Sequence, residues 1–291
     1  MDMIVRVVRA AAVVTVLAMA GCSMADDGGR DYNPAHRPDY VLPGQDVVEP
    51  TPAATWPGSG TGLGLPGFGQ AAPKEPDQTV RGGAGYRAEP HLFELADGSD
   101  VIRVSVADLG GDLFQVSTPG DAKVAPVVEV RRGQMKDQAN RAGTSVVSRL
   151  RGTGKSGPAL VTVLLAKDVR WQVRLSGGAS DEAVDLTGAE LGGDVELSAG
   201  TSNAEVALPA AAGTQKVTVG GGASLLLVRL AGTAPVRVSA RDGAGKVTID
   251  GQTQDGVPGG FVFAAPNWES VKDRFELDVS SGVSALTVAR S

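Results

Sequence analysis

Four glycines in the second half of this 291-residue chain, Gly178, Gly200, Gly222 and Gly243, fall 22, 22 and 21 residues apart, and a small residue follows each. Around them the apolar positions recur at fixed offsets. Five residues before stand Val173, Val195, Val217 and Val238; three before stand Leu175, Leu197, Val219 and Ala240; six after come Val184, Val206, Val228 and Ile249. Gly282 fits as a fifth copy, with Leu277 and Val279 before it and Leu286 and Val288 after it. Its distance from Gly243 is 39 residues, which places an insertion at Gln252–Trp268. Each unit reads as a strand, a tight glycine corner and a second strand. One such unit cannot bury its inward face, whereas units stacked in register bury each valine or leucine on its counterpart one turn away. Glycine suits the corners because a side chain there would meet the next turn. A β-sandwich also uses alternating strands and glycine-rich turns. It does not predict recurrence of the same offsets.

The fold class expected is therefore all-β: a short parallel β-solenoid of about five coils of about 22 residues over 167–291, preceded by a β-rich segment, 91–166. In that segment Val101-Ile102-Arg103-Val104-Ser105-Val106 and Leu160-Val161-Thr162-Val163 alternate as half-buried strands do. Helix is nearly absent. Arg132–Asn140 is the one polar stretch that suits a helical turn or two.

The Gly-Gly-Ala-Ser corners, Gly177–Ser180 and Gly221–Ser224, with their flanking strands over Lys167–Ser291, resemble the stacked β-coil envelope domains sometimes called toast-rack domains. Such domains occur in adhesin-like and cell-wall stress-response proteins of bacteria. The resemblance implies a non-enzymatic surface module and carries over no catalytic or binding residue.

The first 21 residues read as an export signal: Arg6 and Arg9, then the apolar run Ala10–Ala20, too short to span a bilayer as a helix. Cys22, the only cysteine, follows directly. Ala20-Gly21-Cys22 resembles the lipobox of bacterial lipoproteins, which implies diacylglycerol on the Cys22 thiol and a protein anchored on the outer face of the cytoplasmic membrane. Ala18-Met19-Ala20 also suits cleavage after Ala20, which would give a secreted protein. Residues 22–90 hold more than half of the 17 prolines, many glycines and all three tyrosines, without sustained apolar periodicity. They read as a disordered tether between anchor and head. No later apolar run or sorting signal is found, so the anchor is expected at the N-terminus.

The net charge is −6, and loss of Arg6, Arg9 and Asp2 with the signal brings it to −7, which disfavours general polyanion binding. With one cysteine and two histidines, His36 in the tether and His91 at the start of the head, Ser-His and Cys-His nucleophilic pairs and His-ligated zinc are unexpected. Both histidines read as solvated. No catalytic, metal-binding or cofactor-binding residue is assigned. Gly62–Gly67 matches GxGxxG, but its proline-rich flanks lack the strand and helix that a dinucleotide site needs. Arg151–Ser156 ends like a phosphate loop but has Arg149 where the first glycine is required. Asp97-Gly98-Ser99-Asp100 reads as a turn rather than a calcium loop. The densest acids, Asp181, Glu182 and Asp185, read as a solvated rung face. The alternative is a carbohydrate-active enzyme with paired acids on a β-helix.

Two stretches are candidate contact surfaces. Arg131, Arg132, Arg149 and Arg151 belong to a basic run that also holds Lys136, Arg141 and Lys155 and contains one acid, Asp137. It reads as a solvated loop able to meet an anionic envelope partner, a wall polymer or an envelope protein. Without interleaved aromatics it does not suggest nucleic acid. The insertion concentrates Phe261, Phe263 and Trp268, either as a binding loop or as a flap over the end of the core. The function expected is binding, scaffolding or envelope sensing by a lipid-anchored, non-enzymatic module.

Overall fold

Alternation of apolar with polar residues buries one side of nearly every strand, and the chain folds as all-β. The computed structural model describes residues 75–83, 90–136 and 142–291, which form nineteen strands and no helix. Met1–Gly21, Cys22, His36, Arg141 and the Gly62–Gly67 match lie outside the described residues. In chain order the strands begin with β1 (Gln78–Gly82), β2 (His91–Leu95), β3 (Ser99–Ala107), β4 (Phe114–Thr118), β5 (Val124–Lys136), β6 (Ala142–Gly152) and β7 (Leu160–Ala166). They continue with β8 (Trp171–Leu175), β9 (Ala179–Asp185), β10 (Gly193–Leu197), β11 (Thr201–Leu208), β12 (Thr214–Val219) and β13 (Ala223–Leu230). The last six are β14 (Val236–Ala240), β15 (Ala244–Ile249), β16 (Gln252–Val257), β17 (Phe261–Ala264), β18 (Arg274–Val279) and β19 (Val283–Arg290).

They make two sheets. Sheet A runs β1-β4-β7-β3-β9-β11-β13-β19-β15-β16, and sheet B runs β17-β14-β18-β12-β10-β8-β2-β6-β5. A strand of sheet B turns a corner into a strand of sheet A, making one rung, and strands of adjacent rungs pair in parallel. The register is that of the repeat: Val173 lies beside Val195, Val195 beside Val217, and Val184 beside Val206. Buried side chains from both sheets form one continuous core, from Phe93, Ile102 and Val146 to Phe275, Leu286 and Val288.

Spatial order departs from chain order at both ends. The rung β18–β19 does not stack outside β14–β15. It lies between β12–β13 and β14–β15, with Leu277 beside both Val217 and Val238, and Leu286 beside both Leu226 and Val247. At the other end β2–β3 lies between β8–β9 and β6–β7. Segment 91–166 therefore supplies two further rungs, and the five copies of the repeat are not stacked consecutively.

Each outermost parallel strand is covered by an antiparallel one: β4 on β7, β5 on β6, β16 on β15 and β17 on β14. The cover on β15 is a hairpin with the two-residue turn Asp250-Gly251, both at positive φ (47° and 83°), as such turns require. β1, which the sequence places within the tether, pairs with β4 from Gln78 to Gly82. Lys155 binds Glu75 and the Gly120 carbonyl, fixing the chain just before β1. The head thus begins before His91.

The corners pack backbone on backbone. A Cβ on Gly98 would lie 2.4 Å from Gly178 O, one on Gly178 2.6 Å from Gly200 O, and one on Gly222 3.2 Å from Gly282 O. This column shows Gly98 to be a repeat corner as well.

Candidate functional site

The outer face of sheet B carries charge in register. Glu94 lies beside Arg174 and Arg174 beside Glu196, whose Oε2 accepts from Arg174 Nε at 2.9 Å. Lys216 lies beside Glu276 and Glu276 beside Arg237. Opposite charges alternate from rung to rung, where like charges directly abreast would destabilise the pairing. Arg170 joins three rungs, donating to the carbonyls of Leu191, Ala212 and Thr214 and to Asp194 Oδ1.

The basic run is a hairpin rather than a loop. Arg131 and Arg132 lie on β5, Arg149 and Arg151 on β6, and the backbone of Arg132–Lys136 is strand, not helix. Antiparallel pairing with β6 gives these residues a ladder partner that a local helix could not match. Two of the run's cations are already paired, Arg131 Nη2 to Glu129 Oε2 at 2.7 Å and Lys155 to Glu75, and Lys123, just before β5, pairs with Asp100 Oδ2 at 2.7 Å. The Arg131 guanidinium holds the Glu129 carboxyl below its ordinary range. Arg149 and Arg151 are exposed and make no ion pair among the described residues. Arg149 lies opposite Val127, which is 47% exposed.

The aromatic insertion does not present its rings. Phe261 and Phe263 pair with Ala240 and Val238 across the edge of sheet B and pack against the core. Trp268 is 8% exposed, its Nε1 donates to Phe275 O at 2.7 Å, and the guanidinium carbons of Arg237 and Arg274 lie 5.1 and 4.4 Å from its ring centroid. The last rungs would otherwise leave their inner side chains in water, so the insertion folds over them. Trp268 is accordingly a packing residue and not an exposed contact. The large apolar side chain that the segment does expose is Val262, at 55%.

Asp181 and Glu182 face opposite ways. Asp181 Oδ1 accepts from Arg103 Nη1 at 2.7 Å on the outer surface of sheet A. Glu182, expected on a solvated face, points inward and is 1% exposed, beside Ile102 of β3 and Ala204 of β11. Its Oε2 meets no hydrogen-bond partner, and burial pushes its pKa up from 4.5 to about 7. Asp185 Oδ1 accepts from the amide and hydroxyl of Thr187. The three acids therefore do not converge on a common point.

His91, expected to be solvated, is fully buried, its ring 5.2 Å from that of Trp171. The inward position of β2 takes it into the core, because His91 occupies the same place in its rung as Trp171 does in the next. The Asp97–Asp100 turn is used structurally: Asp97 Oδ2 accepts from Leu150 N, and Asp100 pairs with Lys123. Among the described residues no three acids, histidines or cysteines gather as a metal site. A groove of about 490 Å³ runs along the corners, lined by Ser99, Asp100, Lys123, Gly178, Ser180 and Gly200 among others.

No family model and no curated protein sequence matches the chain. The fold is similar to that in the crystal structure of a putative cell adhesion protein from Clostridium sporogenes, with a TM-score of 0.55 and 15% identity, over 75% of this chain and 100% of that one. At that identity the likeness is one of fold.

Proposed function

We propose that this chain is an adhesin-like binding module of the bacterial envelope, held to the membrane by a lipid on Cys22 and acting by surface contact rather than by chemistry. The observation that carries the reading is the fold likeness to a protein named for cell adhesion, which extends over the whole of that chain. The lipobox-like Ala20-Gly21-Cys22 supports the location. Long outer faces built of in-register rungs support the mode of action, since stacked repeats present extended surfaces for contact. The alternative, glycan cleavage by paired acids, needs two carboxyls flanking one bond. Asp181 and Glu182 lie on opposite sides of a sheet and do not suit it.

The contact face proposed is the outer surface of the β5–β6 hairpin around Val127, Arg149 and Arg151, and the partner is an anionic envelope polymer or protein. The test is made on the full chain expressed in a bacterial host. Intact mass and membrane partition are compared for wild type and Cys22→Ala, and retention on isolated cell envelopes for wild type and Arg149→Glu/Arg151→Glu. The reading predicts a diacylglycerol mass increment that the first variant loses, and weaker retention of the second. A soluble, unlipidated wild type would overturn the anchor. Unchanged retention would overturn the contact face.

A further inference from the structure

The ladder that runs through the interior of sheet A at the level of Glu182 is otherwise apolar. From rung to rung it reads Val161, Ile102, Glu182, Ala204, Leu226, Leu286 and Val247. A carboxyl in such a row is tolerated when neutral and strongly disfavoured when charged, because no dipole or cation replaces the water it has lost. Its neighbour Ala204 is the smallest member of the row, which leaves the carboxyl room without supplying a donor.

The charged groups on the packed elements do not relieve it. On β9 itself, Asp181 faces outward to Arg103 and Asp185 is held by Thr187. On β3, Asp100 pairs with Lys123 at the exposed surface and Arg103 reaches Asp181. On β11, Glu205 pairs outside with Arg229. Across the core, the inward residues of β2, β8 and β10 are apolar at this end of the rung. The exception in that set, His91, lies at the opposite end beside Trp171, away from the corner that joins Leu175 to Ala179.

We infer that Glu182 makes the pairing of β9 with β3 and β11 a pH-sensitive joint, closed while its carboxyl is neutral and loosened when the carboxyl ionises. The corner groove lies toward the start of the strand, and its lining includes Ala179 and Ser180, three and two residues from Glu182. The ionised side chain reaches water by opening the rung there, so the groove widens as pH rises. The raised pKa of Glu182 places this response near neutrality, within the range an exposed protein meets. The inference does not depend on the proposed function, since it needs only the fold.

The experiment is hydrogen exchange of the full chain, read by mass spectrometry on peptides covering 179–186 and corrected for the intrinsic pH dependence of exchange. Wild type, Glu182→Gln and Glu182→Met are compared at about pH 5 and about pH 8.5, on either side of the raised pKa. Wild-type protection in this segment is expected to fall with rising pH, by about tenfold for each unit between the ordinary and raised pKa. Both variants should remove the fall, while Asp185→Asn should leave it intact. Glu182→Met keeps the test open if the glutamine variant does not fold. An equal fall in wild type and in either folded Glu182 variant, or no fall in wild type, would overturn the inference.

Discussion

Arg274 stands over the ring of Trp268 at 4.4 Å while its Nη1 donates to the carbonyl of the same tryptophan at 3.1 Å, so ring and backbone are held by one guanidinium. Arg237 on β14 approaches the ring as well, which ties the insertion to the outer face of the sheet. Trp268→Ala is expected to cost about 3–5 kcal/mol, the range for removing a buried large aromatic. Urea unfolding of the purified head checks it. A loss of less than about 0.5 kcal/mol, the size of an ordinary surface effect, would instead mark Trp268 as a residue kept for contact.

Global stability should rise on acidification through neutrality. Burial raises the Glu182 pKa in the folded state, from 4.5 to about 7, so folded protein retains a proton that the unfolded chain has already released between those values. The stability contributed is complete below 4.5, declines as pH rises to about 7 and stays lost above it, by about 3 kcal/mol in total. Denaturant midpoints measured across this range in wild type should show the decline, and Glu182→Gln should flatten it. Opposite slopes from other carboxylates are common to both proteins and cancel in the comparison.

Corner glycines differ sharply in tolerance. A Cβ on Gly177 would lie 2.0 Å from Gly98 N, and one on Gly221 2.0 Å from Ala199 C. Both obstacles are backbone, so Gly177→Ala and Gly221→Ala must push two rungs apart and are expected to destabilise by about 2 kcal/mol or more. Gly282 has open space around its Cβ position and an ordinary φ. Gly282→Ala should be neutral or stabilising by up to about 1 kcal/mol through the unfolded chain. Thermal melts of the three variants side by side make the test.

The rung β18–β19 is the ladder link between β14–β17 and the remaining strands. Among the described residues β14 pairs only with β17 and β18, and β15 only with β16 and β19. Leu286→Ala removes a fully buried side chain from the middle of that link and should cost about 2–5 kcal/mol. Limited proteolysis should then cut within 236–264 before it cuts within 171–208. Cleavage in the reverse order would mean that the end strands hold without the rung.

The repeat was legible because burial forces the same apolar offsets on every rung, and Val173, Val195 and Val217 do lie abreast. The rung order was not legible. Gly243 and Gly282 satisfy the template equally, and nothing local tells which is to be the outer neighbour. Two rungs of 91–166 went unread for separate reasons. Gly98 carries the full set of offsets, with Phe93 and Leu95 before it and Val104 and Val106 after it, but it stands 178 − 98 = 80 residues before Gly178, which is not a whole number of 22-residue periods. In β6–β7 the extra residues of the Gly152–Gly157 corner break the spacing, although the buried residues on either side, Val146 and Val163, fit. The inward turn of Glu182 could have been found, since it stands four residues after Gly178, where Ala204 and Leu226 stand after Gly200 and Gly222. Its acidity outweighed its position. For Trp268 and the arginines around it the sequence carries no signal, because Arg237 and Arg274 come from different strands.

A chain made from its N-terminus meets the rungs in an order that the finished stack does not keep. β2–β3 is synthesised before either of its neighbours and becomes the surface on which β6–β7 and β8–β9 assemble from opposite sides. β12 through β17, by contrast, are synthesised before the rung that joins β12–β13 to β14–β15. Until residues 274–290 are made, the facing edges of β13 and β15, and of β12 and β14, lack the parallel partner that the native stack gives them. Unpaired edges of that kind are what other strands can add to, so completing this stack depends on strands that lie in its middle and come late in the chain.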